Sequence, residues 1–393
     1  MKRKLRILMI APQFRPIVGG YERAAERLSA ELVRLGHEVT VVAERRDRSW
    51  PAREQRDGVK VRRLWCLFRP HLHLITSLPT FALFLFTQGW RFHIWHIHQY
   101  GTHAVLAVVL GRLLHRPVVL KLTNTGSQGI LRTGSALPMA HVAISVLRQV
   151  DAAVALSREM EAEAITFGIP SSRVHVLGNG VDMHTFTCRN EDERAALRRE
   201  FSINAAGIVL FVGRLAGEKN PDGLLIAWKQ AFPHFPAGWK LVLVGDGPMR
   251  KQLTAFVEAE GLSTSVAFVG FQNNVEAWMA IADIFVVPSH WEGLSNTMLE
   301  AMACAIPVVS TRVSGSVEIL EEPGAGVVVD VGHREQLAEA LSRLAANPTL
   351  RSRMGRVGRN LIESTYSIAR IAVLHERLYG ELLIEKTSAS RIA

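Results

Sequence analysis

Short apolar runs alternate with longer amphipathic stretches from one end of this chain to the other. The first triplet reads "LRILMIAP", "YERAAERLSAELVRLG", "HEVTVVAE". In its middle member Ala25, Leu28, Leu32 and Leu35 recur at helical spacing, and Gly36 supplies the stop. A strand–helix–strand unit of this kind predicts a right-handed parallel crossover. Further strands are predicted at "RFHIWHIHQ", "RPVVLKLT", "DAAVALS" and "RVHVLGN". The second half restarts the pattern with "GIVLFVGRL" as strand, "NPDGLLIAWKQAF" as helix and "KLVLVGDG" as strand. The strands "SVAFVGF", "ADIFVVPS", "IPVVST" and "AGVVVD" follow, with helices between them. The fold class is therefore α/β: two doubly wound halves joined near "MHTFTCRNEDER", where the composition turns polar. The expected division is residues 1–187 and 188–362, then 363–393 as a C-terminal helix through "YSIARIAVLHERLYGELL" with a frayed tail, "KTSASRIA".

Composition supports this division. A chain of 393 residues exceeds what one core organises, and 48% apolar with 21% charged residues marks a soluble globular protein. Cys66, Cys188 and Cys304 lie far apart without paired metal spacing, as expected of ordinary thiols in a reducing compartment. The apolar run in "MKRKLRILMIAPQF" is too short for a signal peptide and reads as a buried strand. The longest uncharged stretch, residues 70–90, is broken by Pro79 and two histidines. It suits a packed helix better than a membrane span, a surface touching lipid being the alternative. The net charge of +10 is uneven: residues 1–190 hold 26 Lys and Arg against 13 Asp and Glu, the remainder 20 against 23. The first half is thus suited to an anionic partner such as a phospholipid surface, a phosphorylated acceptor or a nucleic acid. No aromatic stacking platform interleaved with Lys and Arg is found, so a nucleic acid is not expected.

The candidate chemistry centres on "EGLSNTMLE", which places Glu292 and Glu300 at a strand-to-helix junction. Ser295 or Asn296 can cap a helix through "TMLEAMACA", leaving Glu292 in the loop and Glu300 in the second turn. Open α/β sheets bind ligands at this carboxyl edge, and the amides of Leu294, Ser295, Asn296 and Thr297 at the helix start favour a phosphate. Arg214 and Lys219 in "VGRLAGEKNPDG" follow the first strand of the second half, again at a carboxyl edge. Fixed cations there can stabilise a diphosphate leaving group as its charge develops. There is no Asp-x-Asp pair to hold a divalent metal, so neither metal nor cofactor is expected. No G-x-G-x-x-G follows a strand, "GDGPMR" and "VGGYER" both falling short, which argues against a dinucleotide oxidoreductase.

"GRLAGEKN", "LVLVGDGPMRKQL", "FVGFQNNV", "VPSHWEGLSNTMLEAMACAIPVVST" and "VLGNGVDMHTF" together resemble the retaining glycosyltransferases of family 4, over nearly the whole chain. The resemblance implies the GT-B fold, two Rossmann-like domains facing each other across a cleft. The first would bind the acceptor and the second a UDP- or GDP-linked sugar, with the C-terminal helix returning to the first. By resemblance, Glu292 contacts donor-sugar hydroxyls near the reacting carbon, Glu300 binds the ribose, and Arg214 and Lys219 hold the diphosphate. Gly293 belongs to the same donor loop. The backbone around Val269, Gly270 and Phe271 would lie by the base, and Gly19 and Gly20 would close over the phosphates. Where many relatives carry a histidine near the sugar, this chain has Thr123 and then Asn124 and Gly126; His98 is another candidate imidazole on the acceptor side. Ser314-Gly315-Ser316 stands where the family often has Gly-Gly, ahead of Glu318. The implied reaction is front-face transfer with retention to a hydroxyl acceptor, lipid-linked or a growing surface polysaccharide, in the cytoplasm or on the inner face of the plasma membrane. A nucleotide-sugar epimerase and a non-enzymatic nucleotide-sugar sensor are the rival readings.

Overall fold

The computed structural model describes residues 4–17, 19–69, 72–125, 129–137 and 139–392, side chains being described as far as residue 388. Two compact units result, one of Met1–Gly180 with Ile368–Ala393, the other of Val181–Ser367. The chain thus changes unit at 180/181 and returns at 367/368, not at 187/188 and 362/363. The two crossings are held together in the second unit, where Val181 forms a parallel bridge with Ser367 and donates its N–H to the Tyr366 carbonyl at 2.8 Å.

The first unit contains β1 (Arg6–Ile10), β2 (Glu38–Arg45), β3 (Arg53–Arg56), β4 (Val59–Trp65), β5 (Ile94–His98), β6 (Val118–Lys121), β7 (Ala152–Ala155) and β8 (Val174–Val176). They form one sheet in the order β3-β4-β2-β1-β5-β6-β7-β8. Only β3 runs antiparallel. Its hairpin to β4 is absent from the strands expected above, yet its turn carries the Asp-Gly signal: Asp57 and Gly58 both have positive φ, 49° and 77°. Helix α1 (Gly20–Arg34) buries Ala25, Leu28 and Leu32 as the spacing requires. It packs beside the C-terminal helix Ile368–Ile392, in a core that includes Met9, Val41, Ala372 and Tyr379. That helix continues through the segment expected to fray, because nothing after Gly380 breaks it. Two contacts tie it down: His37 Nε2 lies 3.3 Å from a Glu376 carboxylate oxygen, and Lys386 pairs with Asp151 at 2.9 Å.

Helices α2 (His73–Gln88) and α3 (Thr102–Leu113) pack against each other. Gly89 admits the buried Trp95 ring, since a Cβ there would lie 2.3 Å from it. Helix α2 contains Pro79 and buries one face, through Ser77, Phe81, Phe84 and Leu85, so the helix expected within residues 70–90 is packed on one side only. Residues 70 and 71 lie outside the described residues.

The second unit contains β9 (Gly207–Val212), β10 (Trp239–Val244), β11 (Val266–Gly270), β12 (Ile284–Val287), β13 (Val308–Thr311) and β14 (Gly326–Val329). All pair in parallel, in the order β11-β10-β9-β12-β13-β14. Parallel strands covered on both faces read as continuous apolar runs, which is why "LFV", "LVLV" and "IFVV" were legible as strands. The strand order reverses between β9 and β12, and the carboxyl ends of strands at such a reversal are where open α/β sheets bind ligands.

Candidate active site

The loops after β9 and β12 carry the second unit's predicted residues. The β9 loop is braced by the loop after β10: Leu215 donates its N–H to the Asp246 carbonyl at 2.9 Å, and Met249 donates to the Leu215 carbonyl at 3.0 Å. Gly245 makes this approach possible. Its φ is 135°, and a Cβ there would lie 1.9 Å from the Gly213 carbonyl oxygen.

The β9 loop then tightens into a short turn, Gly217–Lys219, ending at Asn220 in the left-handed region with φ of 51°. The Asn220 side chain caps the helix Pro221–Ala231 by accepting from the Gly223 N–H at 3.2 Å, while its amide nitrogen donates to the Pro288 carbonyl at 3.0 Å. His290 donates its N–H to the Glu218 carbonyl at 2.9 Å. The β9 and β12 loops are therefore stitched together before any ligand arrives.

At this junction Lys219 and Glu292 form an ion pair. Ser289 donates its hydroxyl to the same carboxylate oxygen at 3.0 Å. The Ser289 carbonyl in turn accepts from the Thr311 hydroxyl at 2.6 Å, so β13 fixes the residue that orients Glu292. Arg214 is exposed and its guanidinium grips Glu218, with Nε 3.1 Å from the carboxylate. Burial pushes the Glu218 carboxyl up, but the bond from Arg214, a backbone bond and the nearby lysine outweigh it and hold the group below its usual range.

Ser295 is the cap of the helix Asn296–Ala303, accepting from the Met298 N–H at 3.4 Å and lying 3.2 Å from the Thr297 hydroxyl. Amides in the first turn of a helix have no intrahelical partner, so the capped start presents donors at the carboxyl end of β12. Gly293, Leu294 and Ser295 are buried, Asn296 and Thr297 half-buried. Glu300 lies in the second turn, fully buried. Val269 and Gly270 end β11, Gly270 with φ of 72°, and Phe271 beyond them is exposed. Gly315 takes a φ of 76° before a π-helical turn, Val317–Glu321, that holds Glu318.

In the first unit, Gly19 and Gly20 follow β1 and open α1, and His98 ends β5, its neighbour where that sheet's order reverses. A Cβ on Gly19 would lie 2.4 Å from a carboxylate oxygen of Glu22, which curls over it. The sequence reading gives His98 an acceptor-side role, but the structure builds it into the core. It is 1% exposed, stacked 4.5 Å from His96, with Nε2 3.4 Å from the Met9 sulfur. His96 is stacked in turn on His375 of the C-terminal helix and shares a 2.6 Å bond with Tyr379. Burial holds all three imidazoles well below their ordinary range. Among the described residues no group of three or more His, Cys, Asp or Glu is arranged for a metal ion. Thr123 and Asn124 lie half-buried beyond β6, and Gly126 falls outside the described residues.

Sequence reasoning missed Ser289, Thr311 and Lys121. Lys121 is buried with Nζ 2.7 Å from the Asn179 side-chain oxygen, and burial lowers it to about 8. The serine and threonine both lie in the quoted "VPSHWEGLSNTMLEAMACAIPVVST", but nothing in that run ties them to each other or to Glu292. Asn179 lies in the quoted "VLGNGVDMHTF", the one signal that could have led to the lysine.

Comparison with known proteins agrees with this architecture. A profile for glycosyl transferases group 1 matches residues 193–361, and one for a glycosyl transferase 4-like domain matches residues 19–180. The chain is 28% identical over 363 residues to an uncharacterized glycosyltransferase of Methanocaldococcus jannaschii, covering 87% of this chain and 90% of that one. It is 29% identical over 365 residues to the GDP-mannose-dependent alpha-(1-6)-phosphatidylinositol monomannoside mannosyltransferase of Mycolicibacterium smegmatis, covering 90% and 93%. The fold superposes on that of Anabaena HepE, solved in complex with UDP, with a TM-score of 0.78 at 18% identity, covering 96% and 100%. The chain is a glycosyltransferase of the GT-B fold. Within that class it joins a 4-like first unit to a second unit of the group 1 type.

Proposed function

We propose that the enzyme transfers a sugar, with retention and without a metal ion, from a UDP- or GDP-linked donor to a hydroxyl acceptor. The observation that carries this reading is the Lys219–Glu292 pair at the strand-order reversal of the second sheet, with Arg214 on the same loop. In this reading the first-turn amides of the helix Asn296–Ala303, together with Arg214 and Lys219, hold the diphosphate. Glu292, oriented by Ser289, faces donor-sugar hydroxyls beside the anomeric carbon. Glu300 takes the ribose, and Val269 to Phe271 flank the base. As the anomeric C–O bond breaks, the two cations neutralise charge growing on the leaving diphosphate. The departing phosphate oxygen accepts the acceptor hydroxyl's proton on the face where the new bond forms, which preserves the configuration. In the same reading Gly19 and Gly20 count among the donor-binding residues, and Thr123 and Asn124 belong to the acceptor side.

The acceptor is lipid-linked or a growing surface polysaccharide, met in the cytoplasm at the inner face of the membrane. The similarity to a phosphatidylinositol monomannoside mannosyltransferase and the basic first half support this. A thermal-shift screen of UDP- and GDP-sugars tests the reading, since a true donor stabilises the fold by mass action. Proton NMR of the product's anomeric coupling then tests retention. Stabilisation by no member of the panel would refute the donor assignment.

A further inference from the structure

Helix α2 presents an apolar stripe that the first unit leaves uncovered. Leu72, Ile75, Pro79, Leu83, Phe86 and Trp90 recur every three or four positions and are all exposed, Ile75 by 68% and Leu83 by 64%. The opposite face of the same helix is packed, so the stripe is a second apolar surface and not a misplaced core. Trp65 and Phe68, also exposed, extend it: the Thr80 hydroxyl in the middle of α2 donates to the Trp65 carbonyl at 3.0 Å. Contiguous exposed apolar surface of this kind marks an interaction site.

The charge beside the stripe identifies its partner. Arg53 and Arg62 face each other across the β3–β4 hairpin, and Arg91 follows Trp90 directly, its guanidinium 5.4 Å from that ring's centre. Partial burial, then repulsion from Arg53 and Arg91, pulls the proton affinity of Arg62 down, so the three side chains share one region. No ion pair to any of them is found among the described residues. Acids are scarce by sequence as well: Glu54 beside Arg53 pairs with Arg63, and no Asp or Glu occurs between Asp57 and Asp151, while ten Lys and Arg do. A surface with aromatic and aliphatic side chains, Trp at its margins and uncompensated arginines alongside suits the boundary between acyl chains and anionic headgroups. Helix α2 is about 24 Å long at 1.5 Å per residue, and no helix among the described residues is long and apolar enough to cross a membrane. It fits lying in the interface.

We propose that the α2 stripe with Arg53, Arg62 and Arg91 docks the first unit on an anionic phospholipid bilayer. This deepens the reading of an acceptor met at the membrane, but its test needs neither donor nor acceptor. The full-length protein is sedimented with phosphatidylcholine vesicles with and without phosphatidylglycerol, at low and high salt. Wild type should pellet with the anionic vesicles and be released by salt. Replacing the three arginines by glutamine should weaken partition roughly fivefold per charge, about a hundredfold together. Ile75→Asp with Phe86→Asp should abolish it while the melting temperature of the uncomplexed protein stays put, both sites being exposed. Equal partition onto neutral and anionic vesicles, or wild-type partition by either variant, would overturn the proposal. So would a dimer that the aspartate variant dissociates, coupled with no vesicle binding. Donor stabilisation with no vesicle binding would leave the catalytic reading standing, and the reverse result would isolate its failure.

Discussion

Lys219→Ala removes the cation from a pair whose side chains are 26% and 14% exposed. Two separable effects follow. In the free enzyme the carboxylate of Glu292 loses a charge-assisted bond in a mostly desolvated position but keeps the Ser289 hydroxyl. That loss is worth about 1–2 kcal/mol. For a unit of this size it should lower the melting temperature of the second unit by about 2–8 °C. In the reaction, the lysine's charge acts on the diphosphate only as the leaving group departs, so kcat should fall by about 10²–10³, the range for removing one preorganised electrostatic donor. Lys219→Arg should restore most of the stability and part of the rate, because charge returns without the original reach. The assay pairs a melting curve of the ligand-free variant with initial rates of nucleoside diphosphate release, at a temperature where both proteins are folded. A variant that melts lower yet turns over within a few-fold of wild type would show that Lys219 serves the loop and not the leaving group.

Glu292→Gln should leave nucleoside diphosphate affinity nearly unchanged and remove turnover, whereas Glu300→Gln should chiefly raise the donor Kd; calorimetry and rates on the same preparations separate the two roles. The His96–His98–His375 stack makes the first unit acid-labile. These imidazoles are neutral when buried and protonate in the unfolded chain near pH 6.5, so the stability they permit is complete above that pH and is lost as pH falls below it. Up to about 1.4 kcal/mol per pH unit is at stake for each histidine, and melts at pH 7 and 5.5 should show the difference. A pH-independent melt across this interval would contradict the neutral stack.

The fold was legible where apolar periodicity was strong. Every strand of the second sheet coincides with a quoted run, and the reversal between β9 and β12 places Arg214, Lys219 and Glu292 on adjoining loops. Ser295 was legible as a cap because its chemistry is local. The β3–β4 hairpin was not, since "REQR" lacks apolar alternation and only the Asp-Gly turn marks it. His98 misled for a related reason. Sequence shows an imidazole at a strand end, but His98 is stacked on His96, which is itself covered by His375 and Tyr379, almost three hundred positions away. Thr311 at the end of β13 acts on Glu292 through Ser289 in the loop after β12, a relation only the folded chain displays. The apolar stripe on α2 lay within a segment already set apart for its lack of charge. What the sequence could not reveal was which half of it faces outward.

The measurement that bears most directly on the account is the diphosphate preference of the β9–β12 junction. Affinities of UDP, UMP, GDP and GMP are measured by calorimetry for wild type and for Arg214→Ala with Lys219→Ala. Wild type should prefer the diphosphate of one base over its monophosphate by at least tenfold, and the double variant should lose most of that preference while binding the monophosphate nearly as before. An undiminished diphosphate preference in the double variant would contradict the account.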